Sequence, residues 1–255
     1  MTAGLLVPEI GPIQRASVLG RTNPLVKLGI ALGWLVGVGL TLDVRPPLIL
    51  TVVALIAGLQ LGGITAGALA RRIAPLWLAV LGIVLANLVF SSHNPDPLAA
   101  ELFRIGPLRI TQEAVDAAAG LGARVLSIIS VGAVFALTTD ATFLIDSLVQ
   151  LARVSPRFAY GTLAAYQAVP KLADDLGTLR GARRLRGLRE WHPRLIVGML
   201  VRAIRHADQL ATAMDARGFG AGPRSTYRPV RWHALDAAVA LGTLAILLAA
   251  LLAGR

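Results

Sequence analysis

Five long apolar runs dominate this chain, at residues 25–42, 46–70, 73–90, 113–138 and 231–253. A helix rises about 1.5 Å per residue, so roughly 20 mostly apolar residues cross the ~30 Å hydrocarbon core of a bilayer. Each run is near or above that length, and the Gly and Ala they contain are what close helix packing in lipid uses. Apolar residues make up 55% of the 255, a share that one large soluble core would also allow. Five such runs in so short a chain argue against that core. The fold class expected is an all-α integral membrane protein with about five transmembrane helices and a cytoplasmic helical segment before the last. Gly62 and Gly63 lie inside the second run, which is either one helix or two.

Charge is spread unevenly around these runs. Lys and Arg number 25 against 14 Asp and Glu, a net charge of +11. Arg15, Arg21 and Lys27 stand at the entry to the first run, and Arg71 and Arg72 between the second and third. Residues 139–230 hold 14 basic and seven acidic residues. The alternate connections are balanced: Asp43 with Arg45, then Asp96 and Glu101 with Arg104 and Arg109. The positive-inside rule then places the N-terminus, the Arg71–Arg72 turn and residues 139–230 in the cytoplasm, with the C-terminus outside. The expected division is N-terminal transmembrane helices (1–138), a cytoplasmic helical segment (139–230) and a C-terminal transmembrane helix (231–255). Cysteine is absent, which removes disulfide frameworks and thiolate metal sites. The N-terminus, with Pro8 and Pro12 and no basic stretch ahead of an apolar one, does not read as a cleaved signal peptide.

The cytoplasmic segment carries the most information. Thr138, Thr139 and Asp140 close the fourth run, and a short amphipathic stretch follows (Phe143, Leu144, Leu148, Leu151). Pro156 opens a longer helix reaching about Arg186, with an interruption or kink expected at Pro170. Before Pro170 the helix is apolar (Phe158, Tyr160, Leu163, Tyr166). After it the helix is charged, through Lys171, Asp174, Asp175, Arg180, Arg183, Arg184 and Arg186, and it is expected to leave the bilayer about halfway along. Gly187 suits a left-handed terminus. A second helix starts at Pro193. There Ile196, Met199, Leu200, Ala203, Ile204, Ala207, Leu210, Ala211 and Met214 recur at helical spacing and form one apolar stripe. Arg194, Arg205, Asp208, Gln209, Thr212 and Asp215 lie largely off it, and the helix should end at Arg217-Gly218, with Gly220 and Gly222 beyond.

Both helices therefore close on an arginine followed by glycine, Leu185-Arg186-Gly187 and Ala216-Arg217-Gly218. Taken singly, such an arginine is explained by the helix dipole. Two copies in one large cytoplasmic segment suggest a further use. A guanidinium at a helix tip can enter a groove and pair bidentately with a carboxylate, and two would make a two-pronged plug.

Over nearly its whole length the chain resembles the transmembrane T component (EcfT type, or CbiQ-like) of energy-coupling factor importers. That family carries an Asp-Pro-Arg-Thr-Lys-Leu-like motif before its first span. Asn23-Pro24-Leu25-Val26-Lys27-Leu28 occupies that place and keeps the Pro, Lys and Leu. Ser155-Pro156-Arg157 and Val169-Pro170 match the family's two prolines around a long helix. Its paired Ala-Arg-Gly motifs fall on Leu185-Arg186-Gly187, with Leu for Ala, and on an intact Ala216-Arg217-Gly218. Ala182-Arg183 leaves Arg183 as a competing choice for the first arginine.

The resemblance implies a subunit that binds no nucleotide and performs no chemistry. It would join two cytoplasmic ABC-type ATPases, which hold ATP and Mg, to a small membrane subunit that captures a vitamin or a transition-metal ion. It also implies a multi-pass protein of the bacterial inner (plasma) membrane. Arg186, Gly187, Ala216, Arg217 and Gly218 would contact the ATPases, with Arg183 and Asp215 as supports. Ile196, Met199, Leu200, Ala203, Ala207 and Leu210 would carry motion to the substrate-capturing subunit. No cofactor or metal is expected in this chain.

A membrane enzyme is the alternative. Asp174-Asp175-Leu176-Gly177 followed by Ala182-Arg183 faintly resembles the metal-holding signature of CDP-alcohol phosphotransferases. The spacing differs, and the downstream Asp-x-x-x-Asp is missing, since Asp208 and Asp215 are seven apart. Asp174 and Asp175 otherwise read as a solvated helix face with no obvious ion pair. His93, His192, His206 and His233 show no pair at ligand spacing, and a weak ion site at His93, Asn94 and Asp96 in an outside loop is not expected. A P-loop is missing, so the chain cannot power transport alone. The spans hold little polarity beyond Gln60, Asn87, Asp116 and Arg124, where a stand-alone channel or transporter would be expected to show more. Nucleic-acid binding is not expected either. The few aromatics of the basic segment (Tyr160, Tyr166, Trp191, Phe219, Tyr227) sit in apolar faces or at helix junctions of a membrane-tethered chain.

Overall fold

The computed structural model describes residues 11–41, 43–91, 100–105, 108–219, 222 and 228–253, without the side chains of 104, 105, 108 and 109. His93, Asn94, Asp96, Pro8, Gly220 and Tyr227 lie outside the described residues. The chain divides into two compact units, one containing Ala141–Arg231, the other Ile10–Asp140 with Trp232–Arg255.

The second unit holds the apolar runs. After two short helices, α1 (Pro12–Ala16) and α2 (Val18–Arg21), come α3 (Pro24–Gly39), α4 (Arg45–Gln60), α5 (Ala66–Phe90), α6 (Gln112–Thr138) and, as the tenth helix in chain order, α10 (Ala234–Ala253). α5, α6 and α10, at 25, 27 and 20 residues, are long and apolar enough to cross a membrane. α3 and α4 have 16 residues each, and at 1.5 Å per residue they span about 24 Å. In the most apolar stretches of α5 and of α10 only 11% of residues are buried within the chain. Leu78, Leu81 and Leu85 on α5 and Leu241, Leu244 and Leu248 on α10 stand exposed. Apolar surface on that scale marks contact with lipid or partners.

The run at 46–70 is two helices. α4 ends at Gln60, Gly63 turns the chain at φ +60°, and Thr65 Oγ1 accepts the Ala68 N–H at 3.4 Å to start α5. Glycine takes a positive φ without a Cβ clash, and threonine at the N-cap satisfies a donor the helix leaves open. Arg71 and Arg72, expected in a turn, therefore lie in the second turn of α5. A short hairpin adds the strands β1 (Glu101–Ile105) and β2 (Leu108–Thr111), with Glu101 opposite Thr111 and Ile105 opposite Leu108.

α6 packs against α3, α4 and α5. Its buried positions are small: Ala114, Ala118, Gly122, Ala123, Ser127 and Ser130 among them. Such a stripe lets backbones approach closely, where dispersion and weak polar contacts hold helices together in lipid. At Gly122 a Cβ would sit 2.5 Å from Val84 Cγ2, a stiff β-branched side chain. Gly122→Ile is expected to destabilise the unit by about 1–3 kcal/mol through overpacking. An unfolding midpoint in detergent no lower than wild type would refute this.

The first unit contains α7 (Ala141–Gln150), α8 (Pro156–Leu185) and α9 (Arg194–Ala216). α8 runs unbroken through Pro170, contrary to the interruption anticipated there. An interior proline removes one ladder bond and clashes with one carbonyl, which a helix can absorb by bending. The Tyr160 hydroxyl donates to Asp146 Oδ1 at 2.8 Å, joining α8 to α7. Gln150 Nε2 donates to the Arg228 carbonyl at 2.9 Å, while its Oε1 accepts the Val230 N–H at 2.8 Å.

Candidate docking site

The two Arg-Gly tips are the same backbone structure. Arg186 caps α8 at φ −89°, ψ 11°, and Arg217 caps α9 at φ −91°, ψ 10°. Gly187 and Gly218 both stand at φ +67°, where any residue with a Cβ is disfavoured. The Gly187 N–H donates to the Arg184 carbonyl at 3.0 Å and the Leu188 N–H to that of Arg183 at 3.1 Å. The Gly218 N–H likewise donates to the Asp215 carbonyl at 2.9 Å and the Phe219 N–H to that of Met214 at 3.0 Å. Each is a Schellman closure. In this correspondence Arg186 matches Arg217, Leu185 matches Ala216, and Arg183 matches Met214.

The side chains of Arg183 and Arg186 differ in their surroundings. Arg186 is exposed. Arg183 is half-buried, and its Nε donates to the Arg189 carbonyl at 3.0 Å. Arg184 lies 3.7 Å from Glu190, and Arg180 stacks over the Trp191 ring at 5.5 Å. Arg183 thus braces the chain beyond α8, while Arg186 projects from its tip. Arg217, Ala216 and Asp215 are exposed at the end of α9.

The stripe on α9 is split lengthwise. Met199, Ala203 and Leu210 are half-buried, and Leu195, which the stripe did not include, is buried. Ile196, Leu200 and Ala207 are exposed, and Val197, Val201 and Ile204 widen this uncovered face. α8 and α9 are linked by Arg202 Nη1 to Asp175 Oδ1 at 2.9 Å and by Lys171 Nζ with His206 Nδ1 at 3.2 Å. Asp175 therefore has an ion pair after all, with a residue 27 positions away, which helical spacing alone does not reveal. Among the described residues no three His, Asp or Glu side chains are grouped to hold a metal.

A second polar cluster, in the membrane unit, was missed. Asp236, 1% exposed, accepts the Asn23 N–H at 2.7 Å through Oδ1 and the His233 N–H at 2.9 Å through Oδ2. Asn23 Oδ1 in turn accepts the Leu25 N–H at 2.9 Å as the cap of α3. Lys27 donates to the Thr138 carbonyl at 2.7 Å. The Asn23–Leu28 motif is thus built into the joint between the starts of α3 and α10 and the end of α6. The available signal was an acidic residue at the third helical position of α10, where a carboxylate reaches back to the cap N–H.

These features define a multi-pass, all-α membrane protein bearing a pair of helices with matched arginine caps. Residues 15–227 match the CbiQ family, described as cobalt transport protein. The chain belongs to that family, and so to the EcfT/CbiQ-like transmembrane components of energy-coupling factor transporters that its motifs resemble. It is 27% identical to the energy-coupling factor transporter transmembrane protein EcfT of Heliobacterium modesticaldum, over 94% of this chain and 92% of that one. It is 25% identical to EcfT of Lactococcus lactis, over 86% and 87%. A longer protein of Bifidobacterium longum, named as an ABC transporter ATP-binding protein, is 29% identical over 93% of this chain and 32% of its own length.

Proposed function

We propose that this chain couples two cytoplasmic ABC-type ATPases to a small substrate-capturing membrane subunit, for uptake of a vitamin or a transition-metal ion. The observation that carries this reading is the pair of superimposable caps, each presenting one exposed arginine. A plug that serves two like subunits needs two like prongs. Arg186 and Arg217 are the prongs, seated by the αL glycines behind them, with Asp215 beside the second. The exposed edge of α9, led by Ile196 and Leu200, is the face that passes motion to the substrate-capturing subunit. The N-terminus and residues 139–230 lie on the cytoplasmic side, ATP and Mg stay with the ATPases, and this chain carries no cofactor and does no chemistry. The relatives named as transmembrane transport proteins and as an ATP-binding protein support a transporter over a phosphotransferase, and Asp175 is already engaged by Arg202.

Tagged wild-type protein, extracted in mild detergent from its native membrane, is expected to bring down two Walker-type ATPases and one small membrane protein. Recovery of the chain alone, from membranes that contain those ATPases, would sink the proposal.

A further inference from the structure

The membrane unit contains an open cavity of about 400 Å³ lined from α2, α3, α4, α6 and α10. That volume falls in the range of small-molecule sites, yet the lining is almost wholly apolar. On α10 it follows one face, through Leu235, Ala238, Val239, Gly242, Thr243 and Ile246, which at 1.5 Å per residue runs about 16 Å. Most polar groups on the wall are already satisfied. Thr138 and Thr243 donate to carbonyls of their own helices, at 2.8 Å to Val134 and 2.7 Å to Val239. The Trp34 indole donates to Ser127 Oγ at 3.3 Å.

Lys27 is the exception. It lines the cavity and is 7% exposed, and among the described residues its ammonium has one acceptor, the Thr138 carbonyl. An ammonium has three donors. Among the described residues no carboxylate stands within 4 Å of it: Asp140 is paired with Arg15, and Asp236 accepts two backbone N–H groups. A buried cation without a counter-ion is costly in protein and more so at membrane depth. Lys27 and Leu235 both lie in first helical turns, and Asp236 ties the starts of α3 and α10 together. The cavity is therefore cationic at one end and apolar toward Trp34 and Ile246, which is the shape of an anionic amphiphile.

We propose that this cavity binds an anionic phospholipid, its phosphate paired with Lys27 and one acyl chain lying along Ile30, Trp34, Gly242 and Ile246. The bilayer supplies the ligand, and the charge of Lys27 selects for it over zwitterionic lipid. Such a lipid would brace the first and last spans where they meet.

Trp34 provides the readout. In a variant with Trp77, Trp191 and Trp232 changed to Phe, Trp34 fluorescence is measured in nanodiscs containing phosphatidylglycerol or phosphatidylcholine brominated on the acyl chain, at equal mole fraction. Brominated phosphatidylglycerol is expected to compete for the site about fivefold better than brominated phosphatidylcholine. Lys27→Leu should erase that preference. Gly242→Phe, at a position where an added Cβ meets nothing within 4 Å, should occlude the cavity and lower quenching by both lipids. Equal quenching by the two lipids in the wild-type background overturns the proposal, as does a preference that survives Lys27→Leu. Quenching by neither lipid overturns it in favour of a protein occupant. If Lys27→Leu fails to fold, Gly242→Phe decides alone: loss of the preference supports the site and retention refutes it.

Discussion

Reversing both cap arginines, Arg186→Glu with Arg217→Glu, is expected to strip the ATPases from the purified protein and abolish ATP-driven uptake, while the chain stays folded in the membrane. The caps are closed by main-chain bonds from Gly187, Leu188, Gly218 and Phe219, so exchanging the arginine side chains leaves the closures in place. A glutamate at a helix C-terminus opposes the dipole by about 0.3–1 kcal/mol per site. Truncating one partner of a desolvated, hydrogen-bonded charge pair across an interface costs about 2–5 kcal/mol. At 1.4 kcal/mol per tenfold, that is roughly thirtyfold to a few thousandfold in affinity per arginine. Docking therefore fails well before folding does. Arg183→Glu is the control: its counterpart at the other tip is Met214, and its side chain is spent on the Arg189 carbonyl. That variant should keep its ATPases, because the proposed docking needs no positive charge at this position. The measurement is ATPase recovered per mole of tagged chain, beside uptake in vesicles; a double variant that keeps both ATPases defeats the two-prong reading.

The tips were legible in the sequence because both ends of each helix carry local signals. Pro156 and Pro193 open α8 and α9, and Gly187 and Gly218 close them at positive φ. Which of Arg183 and Arg186 takes the cap position that Arg217 takes at the other tip was not legible, since both are arginines in one final turn. Matching the hydrogen bonds of the two caps resolves the correspondence, and that requires coordinates. The helix breaks show the same limit. Gly62 and Gly63 leave one helix or two open, and only the Thr65 cap, which starts α5 ahead of Arg71 and Arg72, moves these arginines from a turn into a helix. Hydrophobic periodicity reports a helix and its face, not its partner. The Arg202–Asp175 pair and the uncovered edge of α9 at Val197 and Val201 followed from packing that no local window contains.

Asp236→Ala is expected to lower the stability of the membrane unit by about 2–4 kcal/mol, more than any neutral change of similar size in α10. Interhelical hydrogen bonds in membranes average only about 0.6 kcal/mol, so the sign is expected but the size needs a reason. Here the acceptor is a carboxylate, for which about 1.5–3 kcal/mol per bond is usual, and it serves two backbone donors at 2.7 and 2.9 Å. One bond is local: Asp236 reaches back to the His233 N–H at the start of α10, and losing such a cap costs about 1 kcal/mol. The other joins residues 213 positions apart and leaves the Asn23 N–H stranded when it is lost. Asp236→Asn retains one carbonyl oxygen and should fall between wild type and Asp236→Ala. His233→Ala should match wild type at this joint, because the donor from His233 is its main-chain N–H. Unfolding midpoints in one detergent rank the four proteins. If Asp236→Ala unfolds with the wild type, the joint between the first and last spans rests on apolar packing alone, and the buried carboxylate is incidental to it.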